Sequence, residues 1–574
     1  MNSFNPFINL TTFLSQRLPI EQSWLLFLQF GLVGAIFTVL LLPIKTRLNL
    51  KSRKVQIGFV IAAFAPILNY LCFVITYLAS PTFADPAEAN VASVSWLFQT
   101  GHPLYPALDA AERYINNYGS SLYIIQGLFL NVLQPSFFSV KLAGCLAGIL
   151  SLFVSFLLFK QRLNFSLAIL GCGLTSLWFL ALTSATGLVT SSFWVRPDSL
   201  LLLCTTVGLF LAAYGNKWGA LIGSAIALGI STNLKITALL HFLPIYVLLL
   251  QRFGLGYTFV SFIGSGAVAL APFMLCSNVS LTNYLIWLRQ VGHKGINPEQ
   301  VTKNLLWMGY ISVPTAIAAL QLLCTNAQYF QQWLWQHGAY LLVLIPCIGV
   351  TAIAGATRGA LENNMLPFVP LFIYLLSDLI EKSSQPHERS HKQWVKFVTF
   401  LSISAALAFI VSISLTVYST EVPLLRLVNG TSNPLELGKA NRVVQDLKRV
   451  MQVYGKSEAN DNGIAMGYGS SYPLAAYRPM LVFANNPYLL DSASLMEMQA
   501  SGLNNTPENT LNAIRTCRIQ SWLIPKNEKP FEVYSYYPPL QKLFSDQFKQ
   551  EFRQQYERRE QTEFYDVWVC KNQS

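Results

Sequence analysis

Two carboxylates stand at the end of an apolar run. In the segment FADPAEAN, Asp85 comes just after the run 57–80, and Glu88 follows three residues later, on the same side if a helix starts at Pro86. A carboxylate in that position is badly placed for folding and well placed to meet a lipid-linked reactant. The local alternative makes Asp85 a helix N-cap and Glu88 a first-turn acid, both favoured by the free N–H groups of a helix start. A second group is cationic. NYLIWLRQVGHKG sets Arg289 and His293 four residues apart, with Lys294 adjacent and Tyr284 and Trp287 alongside. A surface helix of this kind suits a lipid phosphate, and simple anchoring at the headgroup level is its alternative. Arg196, Lys235 and Arg358 are further cations at the edges of apolar runs, where snorkelling to the headgroups is the plainer reading.

The chain that must position these groups has 574 residues, 53% of them hydrophobic and 11% charged, with a mean hydropathy of +0.42. A soluble protein carries about 25% charged residues. The composition excludes an ordinary cytosolic enzyme and a disordered chain, and implies a polytopic membrane protein. Residues 419–574 hold 17 Lys+Arg and 16 Asp+Glu, so nearly all of the net charge of +12 belongs to the preceding part. There it reads as membrane topology and not as a nucleic-acid footprint. Seven of the nine cysteines lie in or beside apolar stretches, where a thiol acts as a small hydrophobe, and no zinc-type spacing is present. Cys517 and Cys570 fall in the polar C-terminal region, either joined or as free thiols.

Runs of about 20 apolar residues predict about twelve transmembrane helices: 23–43, 57–80, 138–159, 166–187, 199–214, 218–231, 236–251, 256–275, 304–323, 338–354, 364–380 and 397–418. The basic links containing Lys45, Arg47, Lys51, Arg53 and Lys54, and Lys382, Arg389, Lys392 and Lys396, should be cytoplasmic, and Lys160, Arg162, Lys217 and Arg252 then fall inside as well. This places both termini outside an inner (plasma) membrane. Residues 1–56 read as a retained anchor helix with a basic cytoplasmic loop, 57–420 as the transmembrane unit with an outer loop at 81–137, and 421–574 as an exoplasmic α/β domain. In the last, LGKANRVVQDLKRVMQVYG is helical in pattern, and SWLIP and FYDVWVC read as strands. The apolar piece 122–134 is too short to span and is expected flat on the bilayer or re-entrant. Asp109, Glu112 and Arg113 read as a solvated face.

The order of motifs resembles the integral-membrane glycosyltransferases of the GT-C class, including the protein mannosyltransferase and aminoarabinose transferase-like bacterial members. The resemblance rests on an acidic residue after an early span, then a Gly101-His102-Pro103-Leu104-Tyr105 turn and a Tyr118-Gly119 element. WVRPDSLLLL, with Arg196 and Asp198, and GATRGALENNMLPFVPLFIYLL, with Asn363, Asn364 and Pro367, add to it. It covers roughly residues 57–420. An extra leading span and Ser120-Ser121, where relatives often have Gly-Pro, depart from the pattern.

That resemblance implies transfer of a sugar from a polyprenyl-phosphate donor to a glycan, lipid or protein acceptor on the outer face. Phosphate is a good leaving group that needs cations, so one carboxylate taking the acceptor proton suffices, unlike the two of a glycosidase. Asp85 would be the base, with Glu88 as helper. Arg289, His293, Lys294, Arg196 and Arg358 would hold the donor phosphate, and His102, Tyr105, Tyr118, Lys235 and Asn363 would line the substrate cavity. No cofactor is required and a divalent metal is not indicated. A transporter or flippase of a lipid-linked or small polar substrate is the alternative.

Overall fold

In the computed structural model the described residues are 53–571, apart from 84–85, 115–117, 182–189, 358–359, 384–433, 456–462, 471–472, 504–505 and 536–539. Asp85, Arg358 and the expected spans 23–43 and 397–418 lie outside the described residues.

The chain is helical through residue 383. Helix α1 (Arg53–Ala79) is followed in the first loop by α2 (Pro86–Gln99) and α3 (Ser120–Leu133). Then come α4 (Phe137–Lys160), α5 (Phe165–Ala181), α6 (Pro197–Tyr214), α7 (Lys217–Leu234), α8 (Ala238–Phe253) and α9 (Leu255–Leu275). The second loop carries α10 (Leu281–Val291), and α11 (Pro298–Thr325), α12 (Ala327–Ala354), a 3-10 turn at Glu362–Phe368 and α13 (Val369–Ser383) complete this part. Six stretches among the described residues are long and apolar enough to cross a membrane: Phe59–Ala79, Phe137–Lys160, Pro197–Tyr214, Leu255–Leu275, Ala327–Ala354 and Glu362–Ser383. The sequence reading of about twelve is higher. Two of its spans lie outside the described residues, α5 and α8 are apolar but shorter, α11 has its apolar stretch over Ile311–Leu320 only, and α7 is diluted by Lys, Gly, Ser, Thr and Asn.

Helix packing pairs α1 with α5, α4 with α6, and α7 with both α6 and α9. The outer faces of α9 and α12 leave Phe259, Val260, Ile263, Met274, Leu275, Leu342 and Ile345 exposed. Such continuous apolar faces are stable against lipid and not against water. The helices also have two unlike ends. At one end Arg162 meets Asp378 and Glu381 at 2.7 and 2.8 Å, Arg252 donates to the carbonyls of Ala212 and Gly215, and Lys217 lies over the Tyr257 ring. Trp218, Tyr257 and Trp335 are exposed there, an interfacial pattern. The other end carries both loops and the C-terminal region.

That region begins with α14 (Pro434–Tyr454), which covers the sequence with helical pattern, and continues through β1 (Ile464–Met466), α15 (Pro479–Phe483), α16 (Ser492–Ala500), α17 (Glu508–Arg515), β2 (Ser521–Pro525), α18 (Asp546–Gln555), β3 (Tyr556–Gln561) and β4 (Tyr565–Cys570). The sheet order is β1-β2-β4-β3, with β1 and β2 parallel and the other pairs antiparallel. Side chains alternate across it. Ile464, Met466 and Leu523 pack under α14 and α15, while Ala465, Trp522 and Ile524 face α17 and α18. Cys517 and Cys570 form a disulfide that ties the end of α17 to β4.

Candidate functional site

Helix α1 ends at the loop end of the bundle, and its last turn is held by a buried lysine. Lys141, in the first turn of α4, donates from Nζ to the carbonyls of Tyr77 (3.0 Å), Ser80 (2.8 Å) and Thr82 (2.7 Å). The Tyr77 ring lies 4.4 Å from the ammonium. Tyr77 in turn donates from Oη to Oε2 of Glu88, which is fully buried in the first turn of α2. Glu88 thus sits inside the protein as a held carboxylate, and not at an open surface.

A second group forms where α6 begins. Pro197 at the first helical position and Arg196 as N-cap set the start of the helix, and Asp198 lies in its first turn, where an anion is favoured. Asp198 is buried and accepts from Lys235 at 2.6 Å and from the Trp194 indole at 3.0 Å. Lys235 also donates to Oδ1 of Asn364 at 3.1 Å, and the backbone oxygen of Asn364 lies 3.0 Å from Nε2 of His241. The buried Asn363 side chain sits against Asp198. The Arg196 guanidinium stacks 4.2 Å from the Trp194 ring and 6.0 Å from that of Tyr118. Lys235 pairs with the buried carboxylate and the Arg196 charge acts on it from nearby, in a group built from α6, α7 and the turn before α13.

Of the residues singled out in the sequence, Arg196, Lys235, Asn363 and Tyr118 come together here. Tyr118 is set by its neighbour. A β-carbon on Gly119 would lie 1.4 Å from the Asn233 carbonyl oxygen, so only glycine lets α3 start against the end of α7. Ser120 Oγ and the Ser121 N–H then donate to Oδ1 of Asn233 at 2.9 and 2.6 Å. Tyr105 is buried, donates to the Tyr118 carbonyl at 2.9 Å and packs on Tyr284, which makes it a strut between the loops. His102 is exposed, and its backbone carbonyl accepts from Asn278. On the second loop Arg289 and His293 are exposed, whereas Lys294 is buried and paired with Glu497 of α16. Burial pushes the Lys294 ammonium down to about 7, and the carboxylate against it works in the opposite direction. Ile296 bridges to Thr357, which brings the second loop beside the segment that leads to position 358.

The solvated face expected at Asp109–Arg113 is corrected. Ala111 enters the sheet's core, Arg113 is buried with its backbone paired to Leu489 and Asp491, and Glu112 pairs with Arg518 at 2.5 Å. Asp109 alone keeps an exposed side chain. The segment is polar because it docks on the C-terminal region, whose partners lie some 380–410 residues away and leave no local signature. Asn90 of α2 reaches the same region, donating to Tyr488 Oη at 3.0 Å and to Ser494 Oγ at 3.3 Å.

Lys141 and Tyr77 were not singled out in the sequence. A lysine inside the apolar run 138–159 was the available signal, because an ionisable side chain within a span needs a specific partner. Among the described residues no three His, Cys, Asp or Glu side chains gather as a metal site.

No family model matches the chain. No curated protein matches it either. Among solved structures it is similar to ArnT from Cupriavidus metallidurans bound to undecaprenyl phosphate, at 11% identity and a TM-score of 0.43, over 90% of this chain and 98% of that one. It is also similar to the archaeal oligosaccharyltransferase AglB from Archaeoglobus fulgidus in complex with an inhibitory peptide and a dolichol-phosphate, at 9% identity and a TM-score of 0.37, over 82% and 69% of the two chains. At such identity and overlap these likenesses assign this chain no activity.

Proposed function

We propose that this protein is an integral-membrane glycosyltransferase of the GT-C type, which moves a sugar from a polyprenyl-phosphate donor to an envelope acceptor at the exoplasmic face. The observation that carries the reading is the meeting, at one end of the helices, of the loop that follows Asp85 and the group of Arg196, Asp198 and Lys235. Arg196, half-buried at the start of α6, would meet the donor phosphate there, with Lys235 held on Asp198. Asp85 would take the acceptor hydroxyl proton as the new bond forms, with Glu88, held by Tyr77, as its helper. Arg289 and His293 would guide the lipid headgroup at the interface, with Arg358 as a further phosphate contact. The sidedness is supported by the basic, aromatic end opposite the site, and by the Cys517–Cys570 disulfide, a bond that persists in oxidising compartments.

The test is a mass-spectrometric comparison of lipid-linked sugars and envelope glycans in cells carrying no copy, the native protein or Asp85→Asn at equal expression. The expected result is loss of one glycan, with its lipid-linked donor accumulating, in both the null and Asp85→Asn cells. Native behaviour of Asp85→Asn with a defective null would overturn the role of Asp85. Transport is favoured by one observation, the second buried ion group at the opposite end, where Asp378 meets Arg162 and His337. Under that reading Asp378→Asn would abolish function and Asp85→Asn would spare it.

A further inference from the structure

Lys141 is fully buried, and its three N–H donors meet three backbone carbonyls: those of Tyr77 and Ser80 at the end of α1, and that of Thr82 in the turn that follows. A helix ends with carbonyls that have no intrahelical donor, and a buried ammonium needs all of its protons accepted. Each requirement meets the other here. The cation also sits at the negative end of the α1 dipole. Tyr77 is the hub of this arrangement, because its carbonyl takes Lys141 while its hydroxyl donates to Glu88. Its ring packs on Phe193, in the turn that leads to Arg196. One lysine therefore closes the end of α1, holds the turn before residues 84–85, and through Tyr77 ties down the first turn of α2 on their other side.

We infer that Lys141 is a positioning residue. It acts through the backbone of residues 77–82 and the Tyr77–Glu88 bond to set where the chain leaves α1 and enters α2, and so where Glu88 of the proposed transferase stands. The inference rests on that proposed function for its catalytic consequence, but not for the clamp itself. A planar guanidinium cannot place three donors as an ammonium does, so arginine should not fully replace it.

The experiment uses full-length protein in nanodiscs and in cells, with Lys141→Met and Lys141→Arg, and Gln161→Ala as a variant at an exposed position at the far end of the helices. Three quantities are read: hydrogen exchange over residues 77–99, binding of undecaprenyl phosphate, and glycan formed per folded molecule. In Lys141→Met, exchange over 77–99 should rise at least tenfold, undecaprenyl phosphate should bind within threefold of native, and glycan formation should fall at least tenfold. Lys141→Arg should recover it only in part. Gln161→Ala should leave exchange over 77–99 and glycan formation per folded molecule unchanged. Native exchange over 77–99 in Lys141→Met would overturn the clamp, whether or not the native protein transfers sugar. Raised exchange with glycan formation within twofold of native would overturn the positioning role, while no glycan difference between native and null cells would overturn the transferase reading and leave the exchange result to judge the clamp.

Discussion

At position 119 a side chain would collide with the backbone of the neighbouring helix. Gly119→Ala must push α3 away from the Asn233 carbonyl, at the expense of the two hydrogen bonds to the Asn233 side chain. Overpacking of this kind costs about 1–3 kcal/mol or more, and the expected outcome is a lower unfolding temperature in detergent together with loss of the Tyr118–Arg196 contact, read as reduced undecaprenyl phosphate binding. Lys294 offers a pH test. Burial holds its folded-state pKa at about 7, below its unfolded value of about 10.4. The folded state then binds fewer protons than the unfolded state between about pH 7 and 10, and stability must rise with pH in that window. Unfolding temperatures of the native protein measured between pH 7 and 9 should climb relative to those of Lys294→Met, and a flat difference would contradict this.

At the scale of elements, the decisive contacts join segments far apart in the chain. Arg478, at the start of α15, is buried against Asp491 at 2.7 Å, and Tyr488 adds a second donor to that carboxylate at 2.9 Å. The same Tyr488 hydroxyl accepts from Asn90 on α2. Arg478→Met leaves a buried carboxylate without its cation, a loss of about 3–5 kcal/mol. It should unfold the α15–α16 segment first, seen as proteolytic cleavage there before the helices of the membrane part are touched. The disulfide closes a separation of 53 residues, which by loop-closure entropy stabilises the region by about 4 kcal/mol. Cys517→Ser with Cys570→Ser should lower the denaturant midpoint of the C-terminal region and leave the helices up to residue 383 intact.

For the whole molecule, the two unlike ends make a topological prediction. His102 is exposed at the loop end and Gln161 at the basic end. His102→Cys should react with an impermeant maleimide in intact spheroplasts, and Gln161→Cys only after permeabilisation; the reverse pattern would invert the proposed orientation.

Hydropathy and Lys/Arg placement made the helices legible, since ten of the expected spans fall wholly or in part on helices among the described residues, and Arg162, Lys217, Arg252 and Lys382 of their links gather at one end. These are properties of local composition, which solvent reads one segment at a time. The strands SWLIP and FYDVWVC were legible for the same reason, because a short apolar run set off by Asn, Gly and Pro clusters is a local feature. The grouping of Arg196, Lys235 and Asn363 around Asp198 was not, because it depends on how α6, α7 and the turn before α13 cross. Arg113 misled because a buried, backbone-satisfied arginine looks in sequence like any solvated one until the C-terminal sheet is folded against it. Nor could sequence tell that Lys141 closes α1 instead of anchoring α4 at a headgroup. The sequence alone determined which segments seek lipid and which residue types could do chemistry, because transfer free energy and charge belong to each residue. Tertiary structure alone decided which charges are partners, since a buried charge is stable only beside the group that satisfies it, and here that group is supplied by a distant part of the chain.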